Sequence, residues 1–168
     1  MEIEQLIDQY SDYLYRLTYT YVKDFHVAEE IVQDVFMKFY ETEQQYRQEA
    51  SLKTYLSKIA IHKSYDYLRS WRYRMVVVKE QFTLISPSIE QKVVQDEQEQ
   101  QLFSHILTLP IKYREVLIFY YYEQLNVTQI AELLKQPVAT IKTRLQRARA
   151  LLKPLIVQGM EEFTDETI

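Results

Sequence analysis

The sequence predicts an all-α protein built from two small helical domains joined by a flexible linker. Three observations carry that expectation. Apolar residues recur at the three-to-four-residue spacing of amphipathic helices through the N-terminal part of the chain, and again from Leu102 onward. Between about Met75 and Gln98 the periodicity lapses, around Ser86-Pro87-Ser88 and a glutamine-rich acidic run. The valine triplet Val76, Val77 and Val78 has strand character, but no second strand is available to pair with it, and a lone strand is not stable.

The elements follow in order. Leu6, Tyr10, Tyr13, Leu14, Leu17 and Tyr21 define a first helix, and Ala28, Ile31, Val32, Val35, Phe36 and Phe39 a second. A third begins at Ser51, an N-cap residue, buries Leu52, Tyr55, Leu56, Ile59 and Ala60, and leads into a basic stretch ending at Arg74. Residues 1–74 therefore form the first domain and 75–98 the linker. In the second domain, 99–155, the helical pattern stops near Leu109-Pro110 and resumes in KYREVLIFYYY. An acidic tail, 156–168, reads as a frayed terminus.

Asn126 to Lys153 reads as two helices joined by a short turn. Asn126 caps the first, and Gln129, three residues on, completes a capping box. Ile130, Leu133 and Leu134 supply its buried stripe, the turn falls at Lys135 and Gln136, and Pro137 suits the start of the next helix. At about 100° per residue, Val138, Ile141, Leu145, Ala148 and Leu152 share one arc, while Thr140, Thr143, Arg144 and Arg147 share a separate polar one. From Lys135 to Lys153 the chain carries six cations and no acid, so phosphate is the expected counter-charge.

The net charge of −4 conceals a segregated distribution. From Asp24 to Glu49 seven acids stand against Lys38 and Arg47, whereas from Lys53 to Arg74 six cations stand against Asp66. Two basic segments and one acidic one predict two nucleic-acid surfaces and a separate surface for a protein partner. The chain has no cysteine, three scattered histidines (His26, His62, His105) and a single glycine, Gly159. Thiolate chemistry, a metal cluster and a glycine-rich phosphate loop are thus not expected, and neither a catalytic residue nor a cofactor is assigned. The acidic start MEIEQLIDQY and the lack of a long apolar run predict a cytoplasmic protein with no membrane insertion.

Three segments, in this order, carry a family resemblance over nearly the whole chain: AEEIVQDVFMKFY, YRQEASLKTYLSKIAIHKSYDYLRSWRYR, and LPIKYREVLIFYYYEQLNVTQIAELLKQPVATIKTRLQRARALL. The chain resembles an extracytoplasmic-function (ECF) sigma factor of the sigma-70 family. The resemblance implies a region 2 bundle that binds the β′ clamp of core RNA polymerase and melts the minus-10 element. It also implies a region 4 helix-turn-helix that reads the minus-35 element beside the β flap, and an anti-sigma factor as a further partner.

On that basis Glu30, Gln33, Asp34 and Phe36 are the expected polymerase contacts, with Phe39 assigned to the core. Lys53, His62, Lys63, Arg69, Trp71, Arg72 and Arg74 are the expected minus-10 contacts, because melting needs cations for the backbone and flat groups for unstacked bases. Thr140, Lys142, Thr143, Arg144, Arg147 and Arg149 are expected at the minus-35 element. The chain departs from the family pattern at His62, where Asn is common, and at Gln48, Lys135 and Ala139, where glycines are common. Lys135 is therefore expected to adopt positive φ, costing about 1 kcal/mol. The alternative reading is a stand-alone helix-turn-helix regulator whose N-terminal bundle dimerises.

Overall fold

The computed structural model describes residues 3–46, 50–70, 72–75 and 97–165, which fall into two compact units, Met1–Ile89 and Glu90–Ile168. The described residues form helices and contain no strand. Most of the predicted linker, including the valine triplet, lies outside them, as do Trp71 and Gln48.

In the first unit, helices α1 (Ile3–Val22), α2 (Phe25–Thr42) and α3 (Leu52–Arg69) each pack against the other two. The core is drawn from the predicted stripes, with Leu6, Leu14, Val35, Leu56 and Ala60 fully buried. Each buried leucine contributes about 1.5–3 kcal/mol. Local chemistry sets the boundaries. Lys23 turns the chain at the end of α1 with φ 55°, and Asp24 caps α2 by accepting from the Val27 amide at 3.0 Å. Ser51 caps α3 by accepting from the Thr54 amide at 3.1 Å. Phe39 is buried, as expected, and makes edge contacts with Tyr46 and Tyr55.

The third helix stops at Arg69 instead of running on through the basic stretch. Ser70 ends it, with ψ 157° and its hydroxyl donating to the Tyr67 carbonyl at 2.6 Å, and then caps the helical turn 72–75 by accepting from the Tyr73 amide at 3.4 Å. A serine side chain offers the backbone an alternative partner to the helix ladder. This break turns Arg72 out of the line of α3.

In the second unit, α4 (Glu97–Thr108) and α5 (Ile111–Leu117) precede a π-helical turn at Ile118–Tyr122, followed by α6 (Val127–Leu134) and α7 (Val138–Asp165). Helices α4, α5 and α6 all pack on α7. The capping box at Asn126 and Gln129 is present, with both reciprocal hydrogen bonds at 2.9 Å. Lys135 has φ 52° and ψ 46°, the left-handed geometry expected of it. Pro137 sits one position before α7, where its carbonyl accepts from the Ile141 amide at 3.2 Å. Ile141, Leu145, Ala148 and Leu152 form the buried stripe of α7. Val138, expected in that stripe, is 36% exposed because it begins the helix, where fewer neighbours cover it. The helix continues through Pro154 to Asp165, so most of the segment expected as a frayed tail is helical.

Candidate nucleic-acid and partner interfaces

The polar arc of α7 forms one wall of an open groove. Thr140, Thr143, Arg144 and Arg147 face Lys112 and Tyr113, from the first turn of α5, across about 360 Å³. The four α7 residues come together as the sequence spacing requires, but their freedom differs. Thr143 donates to the Ala139 carbonyl at 3.0 Å, which fixes its hydroxyl. Arg144 is only 22% exposed and donates to the Glu115 carboxylate at 3.4 Å, while Glu115 itself is 3% exposed in the core. Arg147 is exposed, and its hydrogen bond to Tyr113 is the main cause holding that phenol below the usual tyrosine range.

Two further α7 cations, Lys142 and Arg149, do not line the groove. Lys142 is exposed. Arg149 donates through Nε to the Tyr121 hydroxyl at 2.8 Å and stacks over the rings of Tyr120 and Tyr121 at 5.2 and 5.7 Å. Those rings are presented by the π-helical turn, and the hydrogen bond that Arg149 donates to Tyr121 is the first cause raising the Arg149 pKa. Arg149 thus keeps its charge but is held on an aromatic shelf away from the groove.

In the first unit the expected minus-10 cations do not form one cluster. Lys53 lies at the start of α3, over the Tyr13 ring at 4.1 Å, and Arg69 at its end, so about 24 Å of helix separates them. His62 and Arg69 share a face with Asp66 between them, at 3.5 and 2.8 Å. Lys63 pairs with Asp34 at 3.4 Å, and Arg72 forms a two-pronged pair with Glu30 at 2.6 and 3.1 Å. The same contact holds the Glu30 carboxyl below the ordinary carboxylate range. Arg74 is exposed. Two of the acids expected on the polymerase face therefore already hold two of the cations expected on DNA.

Beside those acids, α1 and α2 enclose an apolar groove of about 590 Å³. Ile3 and Ile7 form one side, and Val32, Phe36, Met37 and Tyr40 the other. Phe36 is largely buried at its floor, while Met37 and Tyr40 are 64% and 68% exposed. Gln33 lines the same groove, so it joins the charged strip to the apolar one.

Comparison with known proteins decides the family. Sigma-70 region 2 matches residues 6–73, and Sigma-70, region 4 matches residues 100–152. The ECF RNA polymerase sigma factor SigW of Bacillus subtilis is 31% identical, over 88% of this chain and 85% of the relative. The chain belongs to the ECF sigma factors of the sigma-70 family. The ECF RNA polymerase sigma factor SigM of the same organism is 28% identical, over 96% of this chain and 99% of the relative. In fold, this sigma factor is similar to the sigma factor RpoE of Bartonella quintana, solved in complex with the anti-sigma factor NepR. That likeness has a TM-score of 0.74 at 23% identity, covering 91% of this chain and 95% of the other.

The chain is an alternative RNA polymerase sigma factor, and the stand-alone regulator reading is not favoured. No described helix of the sigma factor is long and apolar enough to cross a membrane. Sequence reasoning missed Lys112, Tyr113 and Glu115 around the α7 groove, and Ile3, Ile7, Met37 and Tyr40 in the apolar groove. The signal for the first set was faint, a basic-aromatic pair just after Leu109-Pro110. For the second set, Met37 and Tyr40 fall one turn apart, outside the α2 core stripe, and that offset was available in the periodicity.

Proposed function

We propose that the sigma factor binds core RNA polymerase through α2, melts the minus-10 element with α3 and the turn after it, and reads the minus-35 element with α7. Residues 1–74 serve the first two tasks and 99–155 the third. The observation that carries this reading is the single groove wall formed by Thr140, Thr143, Arg144 and Arg147 on a helix that packs on three others. A helix so mounted presents its N-terminal half to a major groove, where an arginine bonding a guanine edge contributes about 1–3 kcal/mol of discrimination.

Glu30, Gln33 and Asp34 meet the basic surface of the β′ clamp, with Phe36, Met37 and Tyr40 supplying adjoining apolar area. His62, Lys63, Arg69, Arg72 and Arg74 track the backbone of the opened strand, with Trp71 as a stacking partner. Lys53, at the far end of α3, holds the flanking duplex. Lys142 and Arg149 hold phosphates beside the minus-35 reading wall, where the β flap seats the second unit. The protein works in the cytoplasm as a non-catalytic specificity subunit without a cofactor, and an anti-sigma factor controls its access to polymerase. The RpoE–NepR complex supports that last assignment by fold.

The test is reconstitution of the full chain with core RNA polymerase against a broad promoter library. Promoter-dependent transcripts that require both subunits are expected. Their absence across the library would sink the reading.

A further inference from the structure

Two groups in the α7 groove have no part in the minus-35 reading so far. Lys112 is exposed and its ammonium lies 5.0 Å from the centre of the Tyr113 ring. Both residues line the groove opposite Thr140, Thr143 and Arg147. Lys112 also lies close enough to the Tyr113 hydroxyl to help Arg147 depress its pKa, which makes that phenol a stronger hydrogen-bond donor. The remaining cation of the groove, Arg144, is largely neutralised by Glu115. The free positive charge is therefore on Lys112 and Arg147, one on each wall, with a phenol between them.

We infer that this groove receives one phosphodiester of the promoter backbone, with Lys112 and Tyr113 as its ligands on α5 and Arg147 completing the site from α7. Lys112 supplies charge, Tyr113 an O–H donor, and Thr140 a second hydroxyl from the α7 wall. An anion here lies beside the base-reading arc, so its natural source is the strand whose bases α7 reads, not a free phosphate. Phosphate contacts of this kind set register and orientation and carry no base preference. Lys112 and Tyr113 thus act as positioning residues that fix how deeply α7 sits, and the base contacts remain with α7.

This inference rests on the minus-35 reading, and the experiment separates the two. Holoenzyme reconstituted with wild-type, Lys112→Gln or Tyr113→Phe sigma factor is titrated with a promoter duplex selected by the wild type. The duplex carries a neutral methylphosphonate at each minus-35 position in turn, and salt is varied. Lys112→Gln is expected to weaken binding about threefold to tenfold, lower the salt slope by roughly 1 and leave base preference unchanged. One methylphosphonate position is expected to weaken wild-type binding but to have no further effect in Lys112→Gln, and Tyr113→Phe should diminish the effect of that same position. Inorganic phosphate at millimolar concentration should not compete beyond its ionic strength; specific competition would identify a free-anion site and overturn the assignment. Sequence-specific wild-type binding with an unchanged methylphosphonate profile in Lys112→Gln would overturn this site alone. Absence of sequence-specific binding by the wild type would overturn the minus-35 reading and this site together.

Discussion

Arg72, on the helical turn that follows the break at Ser70, donates two hydrogen bonds to Glu30 of α2, at 2.6 and 3.1 Å. A parallel pair joins Lys63 to Asp34. Charges assigned to two different partners thus neutralise one another in the free protein. On the function proposed above, polymerase that engaged Glu30 and Asp34 would release Arg72 and Lys63 for DNA. Both side chains of the Arg72–Glu30 pair are about half exposed, so water screens the pair and its contribution to stability is small. Glu30→Gln should therefore change unfolding free energy by less than about 1 kcal/mol while increasing the affinity of the free protein for single-stranded DNA about twofold to fivefold. Fluorescence anisotropy with a short oligonucleotide checks this; unchanged or weaker binding would contradict it.

The same pair has a defined pH dependence. Arg72 lowers the folded pKa of Glu30 below its ordinary value of 4.5. A carboxylate depressed on folding adds stability that is fully present above the unfolded value and lost as pH falls through the folded one. The stability difference between wild type and Glu30→Gln should be constant from pH 7 to 5 and shrink below about pH 4.5. Urea denaturation at stepped pH measures it, and a difference that grows on acidification would be inconsistent with the pair.

Glu115 and Arg144 form a different kind of pair, because Glu115 is buried. Removing one member of a buried pair leaves a charge uncompensated, at about 3–5 kcal/mol when both are enclosed. Arg144 reaches solvent on one side, which reduces the penalty. Glu115→Ala is expected to destabilise the second unit by about 2 kcal/mol, part of it from the cavity left by the side chain. The double variant with Arg144→Ala should lose less than the sum of the two single changes. Strict additivity in thermal or urea denaturation would show the contact to be unimportant.

Arg147 allows a cleaner test of minus-35 binding than Arg144 does. It is exposed and holds no buried acid, so Arg147→Ala should leave stability within about 0.5 kcal/mol and weaken minus-35 recognition about tenfold. Asp34→Ala should instead weaken binding to core polymerase. Equal transcription by both variants at limiting sigma factor would contradict the assignments.

Lys135 occupies a left-handed conformation that costs a residue with a Cβ about 1–2 kcal/mol. Lys135→Gly should stabilise the second unit by about 0.5–1 kcal/mol after the entropy of the unfolded glycine is counted. A loss of stability on chemical denaturation would mean that contacts of the lysine outweigh the backbone strain.

Much of the architecture was legible because it depends on local chemistry. The Asn126 capping box, the Ser51 cap, the helical stripes and the left-handed Lys135 each follow from a few neighbouring residues. The break at Ser70 was not, since a serine inside a helical pattern ends a helix only when its hydroxyl finds a backbone partner. The site was legible as a list of side chains and illegible as a set of pairs. Thr140, Thr143, Arg144 and Arg147 were on one arc, yet Arg144 is set apart from Arg147 by Glu115, on a helix that ends ten positions before α6 begins. Arg149 is likewise diverted by Tyr121, and no periodicity within α7 reports a ring presented by a π-helical turn.

The burial of Glu115 also bears on how this protein and its promoters change together over generations. Any substitution at Arg144 breaks its pair with buried Glu115, so it arrives with a folding penalty that selection acts on regardless of the DNA. Thr143, exposed on the same arc, carries no such burden. On the minus-35 reading proposed above, new promoter preferences should therefore accumulate there first, leaving Arg144 as the slowest position to change.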